Sequence, residues 1–163
     1  MNFTMVNRTQ SFLKDLETIV NIDSSSEHLE GVEAVARFFE SRLTALGLNV
    51  DIIKTGDRQV PCLLARGPGS TEPYDVMFLG HMDTVFPKGE ALKRPFSKED
   101  KRAYGPGVCD MKGGLLVVLH TLELMSEQGK LNDFSFCVLF NGDEEVGSDA
   151  SSSFIADTAK KAR

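Results

Sequence analysis

The 163-residue sequence predicts an α/β domain with a mainly parallel central sheet and helices on both faces. Up to Gly47 the apolar residues recur every three or four positions, which is the period of amphipathic helices. Beyond Gly47 the pattern changes to short apolar runs of strand character, separated by glycine and proline turns. A long apolar helix then precedes the last of these runs, and such alternation of helices and strands is typical of α/β architecture.

Two amphipathic helices are predicted before Gly47. Their apolar stripes consist of Phe12, Leu13, Leu16, Ile19 and Val20 in the first helix and Leu29, Val32, Ala36, Phe39, Leu43 and Leu46 in the second. The first stripe lies on an amphipathic helix of about four turns. Ser24 and Glu27 offer a capping box for the second helix, and Gly47 offers its stop.

Four strands are predicted, at residues 50–54, 62–65, 76–79 and 134–140. The last is dense in Phe, Val and Leu, so we expect it to be covered on both faces. Residues 88–101 are charged and without a consistent period, which predicts an exposed loop or a short hairpin. Residues 112–128 predict a helix buried nearly all round, because little of its surface is polar. Residues 151–163 predict the start of a further helix.

Charge and composition disfavour several partners. Eighteen Lys and Arg residues against 24 Asp and Glu residues leave a net charge of −6, which disfavours binding to nucleic acid or an anionic membrane surface. Three widely spaced cysteines, Cys62, Cys109 and Cys137, predict reduced thiols rather than a disulfide framework. No secretory signal is visible, and the densest apolar runs are far shorter than the ~20 residues of a membrane span. We therefore expect a cytoplasmic protein.

The first chemical cluster follows the strand predicted at residues 76–79. His81 and Asp83 are two positions apart, so in an extended chain both side chains leave on the same face and the carboxylate can reach an imidazole nitrogen. A histidine that binds metal is usually oriented by such an acceptor. The alternative is a histidine and an aspartate in an ordinary surface turn.

A second cluster, Asp143-Glu144-Glu145, follows the strand predicted at residues 134–140. Three adjacent acids repel one another, and a divalent cation would offset that repulsion. The alternative is a solvated acidic turn at the start of the next helix, a position that the positive end of a helix also favours.

The glycine-rich segment 104–114 lies between these clusters and presents Asp110 just ahead of the apolar helix. A helix N-cap is the alternative role for Asp110, and it does not exclude metal ligation. The segment does not match a phosphate-binding loop, because Gly113 stands after Lys112 where such a loop needs Ser or Thr. It does not match a dinucleotide fingerprint either, because Asp110 stands where that motif needs Gly.

The three clusters together offer one histidine and several carboxylates at the edge where α/β sheets bind ligands. That donor set suits zinc or a similar divalent ion. Two such ions about 3.5–4 Å apart, bridged by one carboxylate, form a common hydrolytic site.

Three segments of the chain resemble the M20 family of metallopeptidases, and within it the glutamate carboxypeptidase group: residues 78–85, 104–114 and 139–148. They stand in the family's order, with 27 residues from Asp83 to Asp110 and 34 from Asp110 to Glu144. The resemblance covers essentially the whole chain. It implies an incomplete zinc-peptidase-like catalytic domain, with residues 1–163 as its N-terminal portion. The lid and dimerisation domain and the C-terminal part of the catalytic domain are then absent from this chain.

The resemblance also implies a role for each site residue. His81 would bind one zinc, Asp83 would orient and polarise His81, and Asp110 would bridge two ions. Glu144 would be the general base that activates a metal-bridging water, and Glu145 would bind the other zinc. The peptide bond after Asp110 would be cis. The remaining histidines, His28 and His120, lie in helical patterns and are not expected to be ligands.

The implied function is a zinc-dependent exopeptidase, carboxypeptidase or amidohydrolase that cleaves an amide bond next to a free carboxylate, in a peptide or an N-acyl amino acid. Two Zn²⁺ ions are expected, with Co²⁺ or Mn²⁺ as alternatives, and a homodimer through the lid domain. The family supplies each ion with one further ligand that has no counterpart here, so we expect the 163-residue chain alone to be essentially inactive. The alternative is a truncated, inactive fragment that binds metal weakly at most.

Overall fold

The computed structural model describes residues 3–163, with side chains from Arg8 onward. The described residues form five α-helices: α1 (Phe3–Val20), α2 (Leu29–Ala45), α3 (Glu90–Lys93), α4 (Gly113–Glu127) and α5 (Ser152–Ala159). They form six strands: β1 (Asn49–Thr55), β2 (Val60–Arg66), β3 (Val76–His81), β4 (Ser97–Glu99), β5 (Arg102–Tyr104) and β6 (Phe136–Asn141). The helices and main strands predicted from the sequence are all present. The charged segment at 88–101 contains α3 and the first strand of the β4–β5 hairpin.

The amphipathic stripes of α1 and α2 form one side of the core. Ile19 and Val20 of α1 are fully buried, as are Val32 and Phe39 of α2. α2 ends at Ala45, and Gly47 just after it has a positive φ of 86°, as suits the helix stop predicted there. The stripe positions therefore predicted both helices correctly.

The capping box predicted from Ser24 and Glu27 is wrong. α2 begins at Leu29, with His28 at the N-cap position and no side-chain hydrogen bond to cap it. The Ser24 hydroxyl instead donates to the carbonyl oxygen of Met82, 2.9 Å away and 58 residues later in the chain. A tertiary contact has taken the hydrogen bond that the local pattern assigned to the helix end.

The main sheet has four strands in the order β1-β2-β6-β3 and is mixed, not mainly parallel. β3 and β6 pair parallel, whereas β1 pairs antiparallel with β2, and β2 antiparallel with β6. For β1 and β2 the reason is their short connection, since a parallel crossover needs a dozen residues or more. The turn at Gly56 permits only a hairpin.

Helices cover both faces of this sheet, as predicted. One face packs against α1, α2 and α4 around Phe39, Phe140 and Leu115. The other face packs against α5 through Phe154 and Ile155. β6 lies between β2 and β3, and all six of its residues are buried.

The apolar helix α4 is buried less completely than its composition predicts. Leu115 and Leu119 are fully buried, but Val117 is 57% exposed and Leu124 is 39% exposed. Within the described residues, no helix combines the length and apolar character needed to cross a bilayer. Cys62, Cys109 and Cys137 are all free thiols, as predicted.

The parallel pair β3 and β6 determines where the chemical groups meet. In register, His81 at the end of β3 is opposite Asn141 at the end of β6. The segments that follow both strands therefore leave the sheet at the same edge, which is where α/β proteins bind their ligands.

Candidate metal centre

Asp83 lies at the centre of the site and connects the ends of β3 and β6. Its carboxylate is fully buried and accepts hydrogen bonds from the amides of Glu144 (3.1 Å) and Glu145 (3.0 Å) and from the Ser26 hydroxyl (2.6 Å). Burial by itself would raise the pKa of Asp83, but His81, Ser26 and the Glu145 amide outweigh it and hold the pKa below its usual value. Asp83 is therefore an anion that positions its neighbours.

His81 is buried beside Asp83 and directs one ring nitrogen to each side. Its Nδ1 lies 3.0 Å from the backbone oxygen of Asp83 and 3.4 Å from that residue's Oδ1. Its Nε2 lies 3.0 Å from Oδ1 of Asp110 and 3.8 Å from Oε2 of Glu144. Burial lowers the pKa of His81, but the hydrogen bond and charge of Asp83, together with Asp110, raise it to about 9. These surroundings therefore favour a positive charge at Nε2. A proton and a metal ion would compete for the lone pair of this nitrogen.

Asp110 is carried on a tight loop ahead of α4. The Asp110–Met111 peptide bond is cis, as the family resemblance implied. The N-cap alternative for Asp110 is wrong, because α4 begins at Gly113 with Lys112 as its N-cap, and the Asp110 side chain is 76% exposed. Gly107 has a φ of 70°, and a Cβ there would lie 2.5 Å from Cγ2 of Thr84, so the loop requires glycine at this point.

Lys112 anchors this loop from the inside of the protein. Its side chain is almost fully buried, and its Nζ donates to the carbonyl oxygen of Ile22 at the end of α1, 2.6 Å away. Burial lowers the pKa of Lys112 to about 8, although the charge of Asp23 opposes that effect. The loop that carries Asp110 is therefore tied to the α1 side of the core.

Glu144 and Glu145 enter the site from a short turn, Glu144–Val146, after β6. One ligand atom each of His81, Glu144 and Glu145 lies within 4.8 Å of the other two. Burial raises the pKa of Glu145, and the nearby Asp110, Asp83 and Glu144 raise it further, although His81 opposes them. Carboxylates of like charge converge here, which is the arrangement that a cation stabilises.

The acidic run also contains one structural residue. The Asp143 carboxylate is buried and accepts hydrogen bonds from the amides of Ala150 (2.9 Å) and Ser151 (3.2 Å) ahead of α5. The solvated-turn alternative does not describe Asp143, which is buried and holds the backbone ahead of α5. The run is divided between a structural acid and two acids that face His81.

The residues present fit a divalent cation. One imidazole and several carboxylates supply nitrogen and oxygen ligands of the kind that zinc accepts. In the part of the chain that the structure describes, none of Asp83, Asp110, Glu144 and Glu145 forms an ion pair with a lysine or arginine. All five residues predicted from the sequence are brought together: Asp110 approaches the ring of His81, Asp83 supports it, and Glu144 and Glu145 complete the cluster.

Sequence reasoning missed two residues that support the site, Ser26 and Lys112. Ser26 lies 57 residues before its partner Asp83, and Lys112 lies 90 residues after its partner Ile22. No local pattern marks either residue, because both contacts depend on how α1 and its following loop pack against the sheet.

Comparison with known proteins assigns the family. Residues 77–163 match peptidase family M20/M25/M40. The chain belongs to this family. The matched region contains all five predicted site residues, and the resemblance to M20 metallopeptidases seen in the sequence is confirmed.

Curated relatives in the family are considerably longer than this chain. Carboxypeptidase G2 of Pseudomonas sp. (strain RS-16) is 41% identical over 155 residues, which are 92% of this chain and 36% of that protein. A succinyl-diaminopimelate desuccinylase of Methylorubrum populi is 38% identical over 117 residues, covering 66% of this chain and 30% of that protein. The chain therefore spans about a third of the length of the curated relatives it matches.

Solved structures of the family share the fold. Human carnosine dipeptidase 1 superposes with a TM-score of 0.76 at 21% identity, over 94% of this chain and 37% of that one. The M20 metallo-carboxypeptidase Sso-CP2 of Sulfolobus solfataricus gives a TM-score of 0.75 at 23% identity, over 92% and 35%. The α/β class and the catalytic-domain fold predicted from the sequence are confirmed.

Proposed function

We propose that this chain is the N-terminal portion of the catalytic domain of a zinc-dependent hydrolase that cleaves an amide bond next to a free carboxylate. The observation that carries the proposal is the convergence of His81, Glu144 and Glu145 beside the buried Asp83, with no lysine or arginine paired to them among the described residues. Such a cluster favours a bound cation, and peptidase family M20/M25/M40 supplies the reaction class.

The residues divide between holding metal and moving protons. His81, Asp110 and Glu145 would hold two divalent ions, with Asp110 shared between them and Zn²⁺ the expected metal. Such ions polarise a carbonyl oxygen and make water acidic enough to ionise near neutral pH. Asp83 holds the Nδ1 side of His81, which leaves Nε2 directed into the site. Glu144 would take a proton from the attacking water and return it to the leaving amine.

The substrate class is supported by the names of the relatives. They include a carboxypeptidase, a cysteinylglycine-S-conjugate dipeptidase and a succinyl-diaminopimelate desuccinylase. Their common chemistry is hydrolysis of an amide bond in a peptide or an N-acyl amino acid, and we propose the same class here. The missing ligands, the lid domain and a dimer interface through it would belong to a longer protein. A cytoplasmic location is part of the proposal, supported by the three free cysteines.

The second candidate is an inactive fragment that binds metal weakly. It is favoured by one observation, that the chain spans only 36% of carboxypeptidase G2. The two candidates share their fold and their site residues. They differ in whether these residues support turnover once the remainder of a catalytic domain is supplied.

A chimera separates the two candidates. This chain replaces the segment of carboxypeptidase G2 that it matches, and metal-dependent hydrolysis of dipeptides and N-acyl amino acids is measured. We expect turnover by the chimera and essentially none by the 163-residue chain alone. In the chimera, Glu144→Gln is expected to lower kcat by about 10²–10⁴-fold, whereas the exposed Glu99→Gln serves as the matched control. A folded chimera without activity would favour the inactive fragment.

A further inference from the structure

The linker between α1 and α2, residues 21–28, forms hydrogen bonds with three segments near the metal centre: residues 82–83, residues 89–96 and the loop that ends at Lys112. The Asn21 side chain accepts a hydrogen bond from the Phe96 amide (2.8 Å), and the Asp23 carboxylate accepts from the Gly89 amide (2.6 Å). The Ile22 carbonyl holds Lys112, and Ser24 bonds to the segment after β3. Ser26 bonds directly to the buried carboxylate of Asp83.

The Ser26 hydroxyl meets the buried carboxylate of Asp83. It donates to Oδ2 of Asp83 at 2.6 Å, and both side chains are buried. Ser26 is itself held in place, because Arg58 of the β1–β2 turn donates to its carbonyl oxygen at 3.0 Å. The serine is therefore a fixed donor, and it approaches Asp83 from the α2 side of the site.

The four partners of Asp83 define one orientation of its carboxylate. Oδ2 receives Ser26 and the Glu145 amide, whereas Oδ1 receives the Glu144 amide and faces Nδ1 of His81. The two amides come from one turn and bind one carboxylate oxygen each. Ser26 adds a second donor to Oδ2 from a separate element, so the orientation of the carboxylate does not depend on the Glu144–Val146 turn alone.

We propose that Ser26 is a positioning residue of the metal centre. Its hydroxyl locks the Asp83 carboxylate in the rotation that keeps Nε2 of His81 directed at the metal ligands and keeps the Glu144–Glu145 turn in place. Without this hydroxyl, a buried carboxylate oxygen loses a donor and Asp83 can rotate away from His81. Groups that orient a ligand in this way typically contribute a factor of about 10–100 in metal affinity. The affinity part of this inference rests on the proposed function; the positional part does not.

Three variants of the metal-free chain test the positional part. Ser26→Ala removes the donor, and Ser26→Thr keeps a hydroxyl at the same position. Ser24→Ala is the matched control, because it removes a buried hydroxyl of the same linker that bonds to the Met82 carbonyl and not to Asp83. Hydrogen exchange at the Glu144 and Glu145 amides is measured for each variant by NMR. We expect exchange at least about tenfold faster in Ser26→Ala only, since these amides depend on Asp83 for their acceptor.

Metal affinity is the second measurement on the same variants. Co²⁺ is titrated against a chromophoric chelator, and the Co²⁺ absorption spectrum reports the ligand environment. We expect about tenfold weaker binding and an altered spectrum for Ser26→Ala, with wild-type values for Ser26→Thr and Ser24→Ala.

The two measurements have distinguishable failures. Unchanged exchange in Ser26→Ala, or equal acceleration in Ser24→Ala, overturns the positioning role. Loss of protection in Ser26→Thr as well would also overturn it, because the hydroxyl would then not be the group that matters. If the wild-type chain binds no Co²⁺ while the exchange pattern is as expected, the positioning role stands and the proposed metal centre fails.

Discussion

Two histidines of this protein have nearly the same immediate surroundings and yet belong to different kinds of site. His81 has an acid at each ring nitrogen, Asp110 at 3.0 Å from Nε2 and Asp83 at 3.4 Å from Nδ1. His120 in α4 likewise has Asp15 at 2.9 Å from Nε2 and a glutamate at 3.4 Å from Nδ1. Distance between histidine and acid therefore does not distinguish a candidate metal centre from a structural network.

The difference lies in the balancing cation. Beside His120, Arg42 pairs with both acids, with Nη1 at 2.8 Å from Asp15 and Nη2 on Glu123. Beside His81, the acids have no arginine or lysine partner among the residues that the structure describes. The His120 cluster thus contains a cationic side chain of the protein between its two acids, whereas the His81 cluster keeps a negative charge that only a proton or an added cation can offset.

The largest expected effect is on zinc affinity, which should depend on His81 and not on His120. His81→Ala should weaken Zn²⁺ binding by about 100-fold or more, because it removes a ligand that Asp83 holds in place. His120→Ala should leave the affinity unchanged, because Arg42 already balances that cluster. Competition with a chromophoric chelator measures both values. Equal losses of affinity in the two variants would show that the two histidines do not differ in metal binding.

Metal should also stabilise the fold through the His81 cluster alone. At a free Zn²⁺ concentration about 100 times the dissociation constant, the free energy of unfolding should rise by about 2.7 kcal/mol. Urea denaturation with zinc or with a chelator measures the difference. The gain should persist in His120→Ala and vanish in His81→Ala; a gain retained in His81→Ala would place the cation elsewhere.

Removal of the balancing cation should destabilise the His120 cluster. Arg42→Met leaves Asp15 and Glu123 without their arginine, and we expect the free energy of unfolding to fall by about 1–2 kcal/mol. Arg37→Met is the control, since the ion pairs of Arg37 with two glutamates lie on the exposed side of α2 and should matter little. Equal urea midpoints for the two variants would show that Arg42 is not the balancing charge.

The smallest expected effect is the difference in zinc affinity between variants of the two glutamates in the His81 cluster. Glu144→Gln should leave zinc affinity nearly unchanged, because a general base need not hold the ion. Glu145→Gln should weaken it about tenfold or more, because a ligand oxygen loses its charge. Each variant replaces one carboxylate oxygen with an amide nitrogen, so each serves as the control for the other. A larger loss in Glu144→Gln would reverse the two roles.

Local patterns predicted the parts of the molecule that depend on near neighbours. The stripe from Leu29 to Leu46 placed α2, and the apolar run ahead of Asn141 placed β6. The spacing of His81 and Asp83 placed imidazole and carboxylate side by side, because two residues in an extended chain share a face. Side-chain period and turn chemistry are properties of a few adjacent residues, so they can be read without the fold.

Contacts distant in sequence could not be predicted in the same way. The local pattern predicts a helix cap at Ser24, which bonds instead to Met82. No feature of the neighbouring sequence indicates the hydrogen bond of Ser26 to Asp83. The apolar surface of α4 indicated full burial, yet Val117 is exposed because no described element covers that side. A hydroxyl can satisfy its hydrogen bond with many partners, and only packing selects one.

The chain's own residue order thus established the α/β class, the chemical groups at the ends of β3 and β6, and the family to which those groups belong. Tertiary packing decided the mixed strand order, the meeting of Asp110 with His81, and the separation of Asp143 from Glu144 and Glu145. It also decided which histidine has an arginine paired with the acids beside it. Electrostatic balance is a property of groups that meet in space, so His81 and His120 become different only when the helices and strands that carry their partners come together.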